Sequence, residues 1–154
     1  MTFLNNLITR VNLMMVKLSA IQLNSKPDVE HNIQAIAKQL ENLIQPEIIE
    51  EVVHIVVLPE CCLFFGDNDQ AQLSLAQQAK NTKRLQLALS KLAKQYKVTL
   101  VGGTIPILAD SGDKFTNSSC VYNPHGELIS HYDKIHLFDV NVADNEKTYR
   151  ESRY

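Results

Sequence analysis

His54-Ile55-Val56-Val57-Leu58-Pro59-Glu60 is the stretch on which the reading of this chain turns. The residues before the proline form an almost continuous apolar run of strand length. A strand with one wet face would alternate instead, so the run suits a central parallel strand flanked by helices. Pro59 stops the strand because proline cannot donate to the ladder. Glu60 is thereby predicted at the carboxyl end of that strand, where open α/β sheets bind their ligands.

Upstream, residues 15–23 (MVKLSAIQL) are a second short apolar run, predicted as a strand buried on both faces. Between the two, Asp28 is a helix N-cap, with Pro27 before it. Val29, Ile33, Ile36, Ala37, Leu40, Leu43 and Ile44 recur at steps of three and four, which predicts an amphipathic helix over about 29–45 that Pro46 ends. Downstream, Gly66 to Gln70 is a polar loop. Gln72 to Tyr96 is helical, with Leu75, Ala79, Leu85, Leu89, Leu92, Ala93 and Tyr96 as its stripe; Asn81 and Thr82 weaken the middle and allow two helices. Val98 to Thr104 is a third buried strand, interrupted by Gly102-Gly103. Ser119 to Tyr122 and Leu128 to Tyr132 are strands joined by the turn Asn123-Pro124-His125-Gly126. Residues 135–140 are apolar with an Asp inside, and residues 141–154 have no clear period. The order β-α-β-α-β-β-β is that of a layered α/β domain.

A length of 154 residues allows one domain or part of one, and 45% apolar residues are enough to bury a core. The 15 basic and 17 acidic residues nearly cancel, which argues against a nucleic-acid or anionic-membrane surface. Trp is absent and aromatics are 6%, so no stacking platform for single strands is expected. The three cysteines, Cys61, Cys62 and Cys120, form no C-x-x-C pair; neither a zinc ribbon nor a disulfide framework is expected, and a reducing, cytoplasmic location is. The N-terminus fails as a signal peptide, because Asn5, Asn6, Arg10, Asn12 and Lys17 interrupt it. Residues 1–14 read as an extension or a mis-assigned start, with Met14 or Met15 the natural beginning, and 15–154 as the domain. No apolar stretch approaches the roughly 18 residues needed to span a bilayer. No phosphate-binding glycine motif occurs. Asp67-Asn68-Asp69 lacks the later Gly and Glu of a calcium loop. Asn117-Ser118-Ser119 spells a glycosylation sequon that a cytoplasmic protein would not use.

Three segments carry candidate chemistry. In Leu58-Pro59-Glu60, a carboxylate just past a buried strand loses part of its water and becomes a usable general base; a solvated loop glutamate accounts for the triplet equally well. In Tyr132-Asp133-Lys134-Ile135-His136-Leu137-Phe138-Asp139, Lys134 could bring a fixed positive charge to an oxyanion, or simply sit at the surface beside Asp133. His136 reads as a packing or hydrogen-bonding histidine, since no second His lies at a ligand spacing. In Tyr149-Arg150-Glu151-Ser152, Glu151 alone is an exposed acid.

Taken in order, these segments resemble the carbon–nitrogen hydrolase (nitrilase) superfamily. The resemblance runs from about Met15 to Tyr154 through KLSAIQLNS, the helix with Asn32, HIVVLPE, VTLVGGTIP, NSSCVYNPHGEL, YDKIHLFDV and YRES. The last two look like the Nit-type amidases, which act on small ω-amido acids or deaminated glutathione. The resemblance implies a four-layer α-β-β-α sandwich, commonly a dimer or larger. It implies a thioester mechanism on a small amide with no metal or organic cofactor. Glu60 matches the general base, Lys134 the oxyanion-stabilising lysine, and Glu151 a second, supporting glutamate. It also implies a nucleophilic Cys a few dozen residues after the lysine, in a segment like C-Y-D-x-R-F-P, which this sequence does not contain. Cys61, Cys62 and Cys120 match none of that segment and read as packing residues. The expectation is therefore an N-terminal half of such a domain, inactive alone, with apolar sheet faces open to water. The alternatives are a non-catalytic fragment that partners another chain, and an unrelated α/β binding domain.

Overall fold

The computed structural model describes residues 15–44, 52–66, 68–137, 139–141 and 148–150. The proposed extension 1–14 lies outside them. Strand β1 (Met15–Ala20), helix α1 (Val29–Leu43) and strand β2 (Val52–Val57) make a βαβ unit, with the strands parallel from Met15–Val52 to Ala20–Val57. Asp28 caps α1 as expected: its carboxylate accepts the N–H of His31 at 3.1 Å. The long helical stretch is two helices, α2 (Asp69–Ala79) and α3 (Arg84–Tyr96). The chain breaks at Lys83, whose left-handed φ of 49° cannot continue a helix.

The predicted third strand is shorter than expected. It stops at the two glycines as β3 (Thr99–Val101), parallel to β2, and beyond its predicted end a further strand follows, β4 (Ile105–Leu108), which the sequence did not suggest. Strand β5 (Phe115–Tyr122) organises the rest of the sheet. Ser118 pairs with both Ile105 and Asp133, and Val121 with both Val101 and Ser130, so β3 and β4 lie end to end along one side of β5. Strand β6 (Leu128–Asp133) lies along the other side, joined to β5 by the predicted turn, in which Gly126 supplies a φ of 81°. The sheet is six-stranded and mixed. Asp139–Asn141 (β7), from the end of the apolar stretch 135–140, and Thr148–Arg150 (β8), from the tail that lacked a period, add a two-stranded antiparallel ribbon.

The expectation that the first two strands are covered on both faces is overturned. The core joins Val56, Leu58, Leu100, Ile105, Cys120 and Tyr122 on one sheet face to Ile36 and Leu40 of α1, Leu75 of α2, and Leu85, Leu89 and Leu92 of α3. All three helices thus pack on the same face. On the other face Val16 and Leu18 are 58% and 70% exposed, and Val53, Ile55, Val57, Val101 and Val121 are at best half-buried. Continuous apolar runs here mark strands with one face on the helices and one face uncovered among the described residues. The described residues thus form one helix layer on one sheet layer, half of the sandwich that the resemblance implied. Among them no helix is long and apolar enough to cross a membrane.

Candidate active site

Glu60 follows β2 in a turn that is fastened from several sides. The Leu58 N–H continues the sheet by donating to the Val101 carbonyl at 2.9 Å. Gly103, at φ 54°, passes under Pro59. Cys61 donates its N–H to Thr104 Oγ1 at 2.9 Å, and Cys62 donates its thiol to the Gly102 carbonyl at 3.2 Å. Cys61 itself has φ 52°, a left-handed conformation that costs a non-glycine residue about 1–2 kcal/mol and persists only where its surroundings impose it. Asn32 of α1, 2% exposed, closes the far side: Nδ2 donates to the carbonyls of Lys26 at 2.7 Å and Leu63 at 2.9 Å, while Oδ1 accepts the Lys26 N–H at 2.9 Å.

This scaffold presents Glu60 to Lys134, which follows the last residue of β6. Lys134 Nζ donates to Glu60 Oε1 at 2.9 Å. The structure therefore brings together two of the three site residues that the sequence singled out. The third, Glu151, lies outside the described residues. The expected desolvation of the carboxylate is not met among the described residues: the Glu60 side chain is 57% exposed and that of Lys134 27%. The sheet face that the described residues leave uncovered opens that side of the turn to solvent among them. A pair this exposed adds only about 0–1 kcal/mol to stability.

Two members of the site escaped the sequence reading. Asn117, buried in β5, donates Nδ2 to Glu60 Oε1 at 3.0 Å, and its main-chain carbonyl accepts the Lys134 N–H at 2.9 Å. Ser118 Oγ donates to Asp133 Oδ1 at 2.6 Å, which Asp133 shares with His131 Nε2 at 3.0 Å. The pairing of β5 with β6 was the signal that could have located both. The cysteines behave as packing residues. Burial, reinforced by Cys61 alongside, pushes the Cys62 thiol up to about 12, and burial likewise raises that of Cys120. Neither is poised as a thiolate. What remains is a carboxylate able to take a proton and a cation able to hold an anion, side by side at the end of a parallel strand.

The chain belongs to the carbon–nitrogen hydrolases, whose family profile matches residues 17–154. It is 36% identical over 135 residues to the omega-amidase NIT3 of Saccharomyces cerevisiae, covering 84% of this chain and 44% of that protein. It is 33% identical over 133 residues to the deaminated glutathione amidase of Yersinia enterocolitica, covering 86% of this chain and 44% of that protein. The crystal structure of Saccharomyces cerevisiae Nit3, a member of branch 10 of the nitrilase superfamily, superposes with a TM-score of 0.65 at 34% identity, covering 79% of this chain and 44% of that one. The chain thus spans under half the length of these relatives. Family membership removes the unrelated binding domain from consideration.

Proposed function

We propose that this chain supplies the general base and the oxyanion-binding cation of an amidase acting on a small ω-amide or a deaminated-glutathione-like amide. The observation that carries this reading is the Glu60–Lys134 pair, 2.9 Å apart and contributed by segments 74 residues apart in sequence. A thiol is only a few per cent ionised near neutrality and needs a base to become a nucleophile. In this reading Glu60 takes the proton from a cysteine of the downstream segment, and the thiolate adds to the amide carbonyl carbon. Lys134 holds the resulting oxyanion, worth a few kcal/mol in such sites. Glu60 returns the proton to the departing ammonia, leaving a thioester. Water, deprotonated by Glu60, then cleaves the thioester to release the acid and restore the thiol. Glu151 orients Lys134 or the substrate. Every proton passes through Glu60, so the cycle needs no metal or organic cofactor. Dimers of the complete domain belong to the same reading.

The test is ammonia release from a small ω-amide by protein that carries the downstream segment. Glu60→Gln and Lys134→Ala should each lower turnover by about 10²–10⁴-fold. Retained turnover in either variant refutes the assignment. The buried, protonated state of Cys62 and Cys120 favours a second reading for the 154 residues alone, a non-catalytic fragment. It predicts no thioester trapping by this chain, and turnover lost on Glu60→Gln would overturn it.

A further inference from the structure

Asn117, the first residue of the sequence Asn117-Ser118-Ser119, is 5% exposed. The same residue touches both members of the Glu–Lys pair. Its Nδ2 and the Lys134 ammonium converge on one atom, Glu60 Oε1, at 3.0 and 2.9 Å. Its carbonyl extends the β5–β6 ladder by accepting the Lys134 N–H at 2.9 Å. Side-chain alternation puts Ser118 on the opposite face, where its hydroxyl ties down Asp133 at 2.6 Å. The Lys134 backbone is therefore fixed by main-chain and neighbouring contacts. The Glu60 carboxylate is different. It is more than half exposed, and a buried side chain that donates to it is the Asn117 amide. A neutral amide donating to a carboxylate from a central strand is a charge-assisted bond on a rigid support.

We propose that Asn117 is a positioning residue: its side-chain amide orients the Glu60 carboxylate so that one oxygen meets Lys134. The functional meaning rests on the reading of Glu60 and Lys134 as base and oxyanion clamp; the coupling itself does not.

The experiment reads the pair directly in the 154-residue chain. Lys134 is acetylated with an N-hydroxysuccinimide ester at one fixed pH, and its rate is followed by peptide mass spectrometry against exposed Lys38 as internal reference. Only the free amine attacks the ester, so a carboxylate-held ammonium reacts slowly. Asn117→Leu should speed Lys134 acetylation about threefold, a modest change because the pair is solvent-exposed. Glu60→Gln should do at least as much. The double variant should match Glu60→Gln alone, because the amide acts through the carboxylate. Asn117→Gln, which keeps an amide donor, should recover part of the protection. An unchanged Lys134 rate in folded Asn117→Leu overturns the proposal, and so does an equal increase in the Glu60→Gln background. Should Asn117→Leu not fold, Asn117→Ser carries the same comparison. Loss of folding in both makes Asn117 a core residue only and also overturns it. Failure of the amidase reading shows elsewhere, as ammonia release that survives Glu60→Gln.

Discussion

Gly103 leaves no room for a side chain beneath Pro59: a Cβ there would stand 2.8 Å from the Pro59 carbonyl carbon and collide with its oxygen. This approach presses the β3–β4 connection against the turn that carries Glu60. Gly103→Ala should therefore combine a steric clash with the strain of φ 54°, and cost about 2–4 kcal/mol. Gly112→Ala is the control. Its φ is 81°, but no described residue lies within 4 Å of the added Cβ, so it should cost only about 1–2 kcal/mol. Urea denaturation of both variants checks the difference, and equal losses would show that the contact with Pro59 does not matter.

Asn32 holds the opposite side of the same turn with bonds to Lys26 and Leu63, at 2% exposure. Asn32→Leu keeps the approximate volume but leaves the buried Leu63 carbonyl and the part-buried Lys26 N–H and carbonyl without their partner. A loss of about 2–4 kcal/mol is expected, since each orphaned buried group costs about 1–3 kcal/mol and part is regained as apolar burial. Denaturation measures it. A loss under about 1 kcal/mol would mean that water replaces the amide.

Much of the scaffold was legible because local chemistry decides it. Asp28 caps a helix with a three-four stripe, Asn81-Thr82 falls at a real helix break, and Asn123–Gly126 makes a real turn. The number of covered faces was not legible. A run such as His54–Leu58 looks the same whether the second face meets helices or another layer. Asn117 was hidden first because the predicted strand began at Ser119, whereas β5 starts at Phe115, and second because of the register. Tyr122 pairs with Leu128, but Val121 pairs with Ser130, so a one-residue bulge lies beside the hairpin turn. Counting the register outward from the turn without the bulge misassigns each partner by one and points side chains to the wrong face. Only with the bulge does Asn117 fall opposite Lys134.

The buried thiols make stability pH-dependent in a defined direction. The unfolded chain loses the Cys62 proton near its ordinary value of 9.0, whereas the folded chain, by burial, holds it to about 12. Below about pH 9 both states keep the proton and this group has no effect. Above it the unfolded state binds fewer protons, so stability falls, by about 1.4 kcal/mol per pH unit for one such group. Cys120 and Tyr122, both raised by burial, act in the same direction. Urea titrations between about pH 8 and 11 should show the decline, and Cys62→Ala should flatten it by up to one proton. An unchanged slope in that variant would assign the alkaline loss to the other groups.

The sheet face left uncovered by the described residues predicts how the 154-residue chain behaves in solution. Val16, Leu18 and Val53 are 58%, 70% and 36% exposed on neighbouring parallel strands, with Ile55 and Val57 half-buried beside them. A contiguous apolar patch of this kind favours association, at roughly 25 cal/mol per Å² of apolar surface removed from water. The 154-residue chain should therefore self-associate at micromolar concentrations in sedimentation velocity, with weaker association near 5 °C than at 25 °C because the hydrophobic term fades on cooling. Leu18→Lys combined with Val53→Lys places two like charges on that face and should shift the chain toward monomer. Neither side chain belongs to the buried core, so thermal stability should change little. A sharply melting monomer of the unsubstituted chain would show that this face needs no cover.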